Sequence, residues 1–436
     1  GQALERVHGE ERAGVAHELA TLYEVGRDFA RAAEHYLAAA GQASRVFADR
    51  EAAALATQGL AAIERLDPSP ERAQRELELQ LALGLALRGA RGFGHPDTGA
   101  AYSRARELCH EIGDAPELFP VLFGLWEFSQ NQGDLGAAVD VAGQMLALAE
   151  RGSDAGHLVA AHAVMADNLL CRGDPVPAIA HAGQAIDRYD LDEHQSLASL
   201  FGYDPAVSAH CLGALAQWLA GYPDQAIRGG TAGADLAGTL SHPPSVAFGA
   251  LFSAWIGHWT GSLEAAEANA NRCVEVATEF ELPPFLEFGR VLQGWPLVEQ
   301  GQAEAGTALA REGVEGLQAI EFGWARSFTL GVVAQGCAAA GRVDEAMGLL
   351  DEAFDHANRT GEHFNDAELS RLKGELLLRS ESSDSERCFL EAIEVAERQK
   401  AKSWELRATM SLCRLWRRQG KREQARQLLA EIYGWF

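Results

Sequence analysis

The sequence predicts an all-α solenoid of about eleven antiparallel helical hairpins, with a period near 40 residues. Three observations predict it. Alanine and leucine dominate an apolar fraction of 47%, β-branched and aromatic residues are sparse, and 14 prolines are spread over 436 residues. Such a composition favours helices over strands. Glycines recur at Gly133, Gly173, Gly221, Gly261, Gly301, Gly341 and Gly420, in steps of 40, 48, 40, 40, 40 and 79. Each ends a stretch with helical apolar spacing, as a glycine in the left-handed conformation does at a helix C-terminus. Small residues hold fixed places around these glycines. Ala166, Ala214, Ala254, Gly294, Ala334 and Cys413 precede the turn by seven, and Ala138, Ala178, Ala226, Ala266, Gly306, Ala346 and Ala425 follow it by five.

Residues 1–113 read as irregular N-terminal helical repeats and residues 114–436 as regular ones, in one continuous array. Gly26 and Asp28 open the first hairpin, and residues 44–66 read as a second, shorter unit. Asp67-Pro-Ser-Pro70 breaks the chain before a helix over 71–89, which turns through Arg91-Gly-Phe-Gly-His-Pro-Asp97. Asp134 and Asp174 stand where they can cap the following helices. Pro243-Pro244 and Pro283-Pro284 start new helices, where proline is tolerated. The 79-residue step spans two periods, with a turn near Ser380 and Glu381 that lacks its glycine. The 48-residue step holds eight extra residues around Asp190–Pro205, and an insertion in a strict array is a candidate functional element or a repair of a kink.

Two helices, a tight turn and small residues at the crossing are the tetratricopeptide logic, here with helices about a turn longer. In that register the first helix of each pair lines the concave face. Positions 13, 10, 6, 3 and 2 before each turn glycine then face inward. They give Glu127, Gln130, Asn131 and Asp167, then Trp218, Phe248, Trp255, His258, Trp259, Phe288, Trp295, Phe328 and Gln335. The expected groove is an aromatic stripe of Trp218, Phe248, Trp255, His258, Trp259, Phe288 and Trp295. The insertion adds Asp204 and His194 at its rim. Tryptophans on a concave wall stack on ligands or hold apolar anchors of a peptide. The other reading of the same rings is core between repeats.

The formal net charge is −25. Residues 1–370 carry 23 basic and 52 acidic side chains, and residues 371–426 carry 14 and 9. An acidic body argues against nucleic acid and anionic membranes as partners. The seven cysteines lie 25 to 64 residues apart with no CxxC, so neither a zinc site nor a disulfide framework is expected, and a reducing cytoplasm is the natural compartment. No HExxH, GxSxG or GxxxxGK[ST] occurs, and Gly92-Phe-Gly94-His-Pro-Asp-Thr-Gly99 reads as an inter-helix turn rather than a phosphate loop. No catalytic constellation, metal site or cofactor is expected.

Several stretches carry a family resemblance: Glu117-Leu-Phe-Pro-Val-Leu-Phe-Gly-Leu-Trp126, Phe201-Gly-Tyr-Asp-Pro205, Gly221-Tyr-Pro-Asp-Gln-Ala226 and Ala367-Glu-Leu-Ser-Arg-Leu-Lys-Gly-Glu-Leu376. Gln399-Lys-Ala-Lys-Ser-Trp-Glu-Leu-Arg407 and Tyr433-Gly-Trp-Phe436 add to it. Together they resemble the C-terminal tetratricopeptide region of large bacterial signalling ATPases, which often carry a class III adenylate/guanylate cyclase domain. The resemblance implies a native chain extending beyond both ends, with an ATPase module upstream. The functional expectation is a non-catalytic sensor or scaffold that binds a protein, peptide or small effector in its groove and relays this to the ATPase or cyclase. An oligomerisation module and an enzyme of unknown type are the alternatives.

Overall fold

The computed structural model describes residues 15–113, 115–379 and 382–436, and among these it is built of helices with no strand. The turn expected near Ser380 and Glu381 lies outside the described residues. The helices run α1 (Ala16–Val25), α2 (Phe29–Arg45), α3 (Asp49–Ile63), α4 (Pro70–Arg91), α5 (Pro96–Ile112), α6 (Leu118–Asn131), α7 (Leu135–Arg151), α8 (Ala155–Cys171) and α9 (Pro175–Arg188). Two short helices follow, α10 (Leu191–His194) and α11 (Leu197–Phe201). Then come α12 (Pro205–Leu219), α13 (Pro223–Leu240), α14 (Pro243–Thr260), α15 (Leu263–Glu279), α16 (Pro283–Glu299) and α17 (Ala303–Ala319). The last are α18 (Arg326–Ala339), α19 (Val343–Thr360), α20 (Asp366–Arg379), α21 (Ser385–Gln399), α22 (Lys402–Arg418) and α23 (Arg422–Tyr433). No described helix is long and apolar enough to cross a membrane.

The seven turn glycines all have positive φ, from 74° to 93°, and each sits between the helices it was expected to separate. The small residues at the crossings are buried. At the tightest crossing, a Cβ on Gly294 would lie 2.5 Å from the carbonyl oxygen of Gly306, so α16 and α17 touch backbone to backbone. Asp134 caps α7 by accepting from Ala137 N at 2.9 Å. Asp174 departs from expectation: it precedes Pro175 at the head of α9 and its side chain makes no capping bond. Residues 44–66 hold one helix, α3, because residues 46–48 are a turn in which Phe47 has φ 59°.

The inner layer is formed by α2, α4, α6, α8, α12, α14, α16, α18, α20 and α22. Neighbours in it pack side by side, α12 on α14 and α14 on α16 for example, while each also packs on the outer helix that follows. The array winds tightly enough that its turns stack. Four successive inner-to-outer turns meet outer-to-inner loops from later in the chain, and a fifth meets the start of α22 and the residues after α23. Phe47 packs on His242 and Phe280, Gly92 and Gly94 on Ile320 and Glu321, Gly133 on Thr360, Gly173 on Gln399, and Gly221 on Lys402 and Trp435. The backbone joins in, with Cys171 O accepting from His363 N at 2.8 Å and from Phe364 N at 3.2 Å. The Gly92–Gly94 loop is thus an inter-helix turn with a packing role.

Candidate functional site

Stacked turns bring inner faces from distant repeats against each other, and this decides where the expected groove residues lie. Trp255 is 0% exposed and Trp259 2%. Trp255 stacks on Phe328 with centroids 4.0 Å apart, and Trp259 meets Trp218 at 4.8 Å and Trp404 at 5.3 Å. Phe288 is equally buried, 5.3 Å from Trp255. Trp218, Trp255, Trp259 and Phe288 therefore form an aromatic plug in the interior. Two cavities flank it.

The first, the arginine cavity, has a volume of about 580 Å³ and takes walls from α14, α16, α18, α20 and α22. His258 and Trp295, both expected in the groove, line it together with Gln335, Glu368, Arg371, Arg407 and Arg414. Trp295 stands edge-on to His258, centroids 4.7 Å apart. Glu368 is buried and accepts from Arg371 at 2.7 Å and from Arg407 at 3.0 Å. Burial pushes its carboxyl up, but the two guanidiniums outweigh this and hold it below the ordinary value. Arg407 also donates to Trp259 O at 3.2 Å and covers the faces of Trp218 and Trp404. Burial and the nearby Arg407 hold His258 down to about 3, so it is neutral, and its buried Nδ1 has no hydrogen-bond partner. Three arginines and two carboxylates, Glu368 and Glu299, line the cavity, with Glu375 behind it 3.5 Å from Arg371; Arg414 has no carboxylate paired with it among the described residues, which suits that wall to an anion.

The second, the aromatic cavity, is smaller, about 60 Å³ counted by where the centre of a water can sit. Its rings include Phe93, Trp126, Tyr203, Phe248, Phe252 and Trp324. Its polar wall is Glu127, Gln130, Asn131 and Asp167, the acidic and amide set that the register placed inward. Glu127 pairs with buried Arg88 at 2.7 Å, and Arg88 is anchored by donating to Phe201 O at 2.8 Å. Burial pushes Glu127 up to about 7 against the pull of Arg88. Asp167 accepts from Trp324 Nε1 at 3.1 Å and from Cys171 Sγ at 3.3 Å, yet burial still lifts it to about 6.

Neither residue expected from the insertion lines these cavities. Asp204 is buried at the head of α12, where it accepts from Ala206 N, Val207 N and the Tyr189 hydroxyl, each within 3.0 Å. His194 Nδ1 accepts from Asp190 N at 2.9 Å. Both are consumed by local backbone caps. The insertion instead delivers Tyr203, which stacks on Phe248 at 5.0 Å, while Phe201 fills the space beside Phe123 at 4.6 Å. Sequence reasoning missed Tyr203, Trp324, Arg371 and Arg407, and offered Arg414 only as part of a basic C-terminal contact surface with Arg417 and Arg418. Trp324 lies before its helix begins, outside the inward positions, and Arg371 belongs to the unit whose marker turn has no glycine, whereas Arg407 and Arg414 stand 13 and 6 residues before Gly420, at inward positions. All seven cysteines are buried and unpaired with one another. Among the described residues, no group of three or more His, Cys, Asp or Glu side chains is placed to hold a metal ion.

No protein-family profile and no curated protein matches the sequence. Among solved structures, a Rap protein complexed with Competence and Sporulation Factor superposes with a TM-score of 0.55 over 92% of this chain and 99% of that one, at 12% identity. The APC/C hetero-tetramer Cut9-Hcn1 superposes at 0.50 over 91% and 76%, at 14% identity. A Signal Transduction ATPase with Numerous Domains with a tetratricopeptide repeat sensor, from Pyrococcus horikoshii, gives 0.44 over 83% of this chain and 52% of that one, at 13% identity; so loose a match carries no argument. Identities this low speak for the fold alone, and the fold is a tetratricopeptide-like α-solenoid.

Proposed function

We propose that this chain is a non-catalytic sensor or scaffold domain of the cytoplasm that takes a peptide, protein segment or small effector into its interior. Occupancy would be relayed to an ATPase or cyclase module of the same native chain. The arginine cavity carries this reading. It is large enough for a few amino-acid residues, it has Trp295 as an apolar wall, and its arginines suit a carboxylate in the bidentate geometry that guanidinium favours. The Rap protein of similar fold is complexed with a Competence and Sporulation Factor, which supports ligand binding as a use of this fold. The relay rests on the winding: inner faces of separate superhelical turns share the cavity walls, so a ligand with different affinity for two windings shifts their balance.

The test is a pool of short random peptides with free C-terminal carboxylates, beside the same pool amidated, followed by tryptophan fluorescence. Saturable change with the free-acid pool, weakened by Trp295→Ala by about 1–4 kcal/mol, is the expected result. Equal response in wild type and Trp295→Ala, or none with either pool, would overturn it.

A further inference from the structure

We infer that the aromatic cavity is a binding site for an ammonium group, carried either by a small amine or by a lysine side chain. This site is separate from the arginine cavity, so the two readings stand or fall independently.

Phe93, Phe252, Phe248, Tyr203, Trp126 and Trp324 surround the space. Ring faces carry negative potential, and an aromatic box attracts a cation most strongly where water is excluded; the Phe93 ring already carries the Arg88 guanidinium at 5.1 Å, so the attraction falls to the other five rings. The polar wall is biased in the same direction. Asn131 is 8% exposed, and its Nδ2 is used in donating to Glu127 O at 2.9 Å, which leaves Oδ1 buried without a partner. Glu127, by contrast, is engaged by Arg88, which stands 2.7 Å from its Oε2. The N–H donors of Trp324 and Trp126 are already used, donating to Asp167 and Asn168, each at 3.1 Å. The unused capacity of the wall is therefore acceptor capacity.

Charge points the same way. Glu127 has Arg88 as its counter-ion. Asp167 has donors around it, but no arginine, lysine or histidine pairs with it among the described residues, and the nearby Glu362 adds to its cost. A buried carboxylate without a counter-ion is expensive, and a ligand that brings a positive charge removes that cost. The space also fits. A single water needs roughly 10–15 Å³ on this measure, so about 60 Å³ takes a head group larger than one water. Phe93, Pro284 and Phe285 also line a neighbouring cavity of about 410 Å³, which places the entry beside these three residues.

Choline, tetramethylammonium and a blocked lysine amide serve as probes, with the uncharged tert-butyl analogue of choline as control, all at matched ionic strength and neutral pH. Thermal stability and tryptophan fluorescence are the readouts. At least one ammonium should bind saturably and about ten-fold more tightly than the uncharged analogue. Preference for the methylated probes identifies a small amine, and preference for the lysine amide identifies a side chain. Asp167→Asn should weaken binding about ten-fold, Phe248→Leu should weaken it with apolar volume retained, and Trp295→Ala should leave it unchanged. Should Asp167→Asn fail to fold, Phe248→Leu carries the test. Equal binding of the uncharged analogue, or no saturable binding by any ammonium, overturns the proposal.

Discussion

Trp218 on α12 and Trp404 on α22 meet edge to face with their ring centroids 4.6 Å apart. The hydroxyl of Ser403 donates to the carbonyl of Trp218 beside them. The two helices belong to different turns of the superhelix, and this contact closes what an isolated run of repeats would leave as an open groove. Arg407 lies over both rings, 5.4 Å and 5.2 Å from their centroids, so the seam is also the edge of the arginine cavity.

Closure changes what Trp255 does. Its ring is enclosed by Phe252, Phe288, Trp324 and Phe328, and its Nε1 has no hydrogen-bond partner. Trp255→Ala should cost about 3–5 kcal/mol of stability, as large-to-small changes in a packed core do. Trp255→Phe keeps most of the packing and removes the unpaired donor, so it should cost far less. Urea unfolding of both variants checks the pair, and a stable, well-folded Trp255→Ala would return this ring to an open groove.

The repeat was legible because it is written twice, in glycines that stop helices and in small residues that let them cross. The inward register was legible too: Glu127, Gln130, Asn131, Asp167, Phe248, His258, Trp295 and Gln335 all line one of the two cavities. The winding was not legible. Whether inner faces one superhelical turn apart touch depends on small rotations per repeat, which accumulate over several units and leave no local pattern. The partners of Trp218 and Cys171 therefore emerge only in three dimensions, as does Trp324, whereas Arg407 stands 13 residues before Gly420, an inward position of the register.

Stacking between turns should be testable at glycines that face it. A Cβ on Gly94 would overlap the carbonyl oxygen of Glu321, whereas one on Gly301 meets nothing within 4 Å. Gly301→Ala should then cost only the strain of a left-handed alanine, about 1–2 kcal/mol. Gly94→Ala forces two superhelical turns apart and should lower the melting temperature more, with extra hydrogen exchange around residues 320–323. Equal losses for the two variants would argue against direct stacking.

The outer-to-inner loops carry non-glycine residues in the left-handed region: Ser241, Glu281, Glu321 and Lys400 have φ between 51° and 57°, and Gly361 holds the corresponding place. At Lys400 the chain closes with Ala401 N donating to Ala396 O at 2.8 Å. Lys400→Gly removes the Cβ clash but loosens the unfolded chain, and the first effect is the larger in this conformation. A gain of up to about 1 kcal/mol is expected, and a loss would show that the lysine side chain holds the loop.

Burial outweighs the hydrogen bonds of Asp167 and lifts its carboxyl to about 6 in the fold, against an ordinary value of 3.8. Between these values the folded chain holds a proton that the unfolded chain has lost. Stability from this group therefore falls as pH rises from 3.8 to 6 and stays low above that. Asp167→Asn keeps an acceptor for Trp324 and has no charge to bury. It should stabilise the protein at pH 8 by about 1–3 kcal/mol, with the gain shrinking between about pH 6 and pH 4. Comparing the variant with wild type at each pH cancels the other titrations. Among these is His258, held neutral near 3, whose contribution is lost as pH falls below its ordinary 6.5. Denaturant midpoints across that range give the answer. A variant less stable than wild type at pH 8, with no convergence in acid, would mean that Asp167 is held charged by its donors and that burial does not dominate its titration.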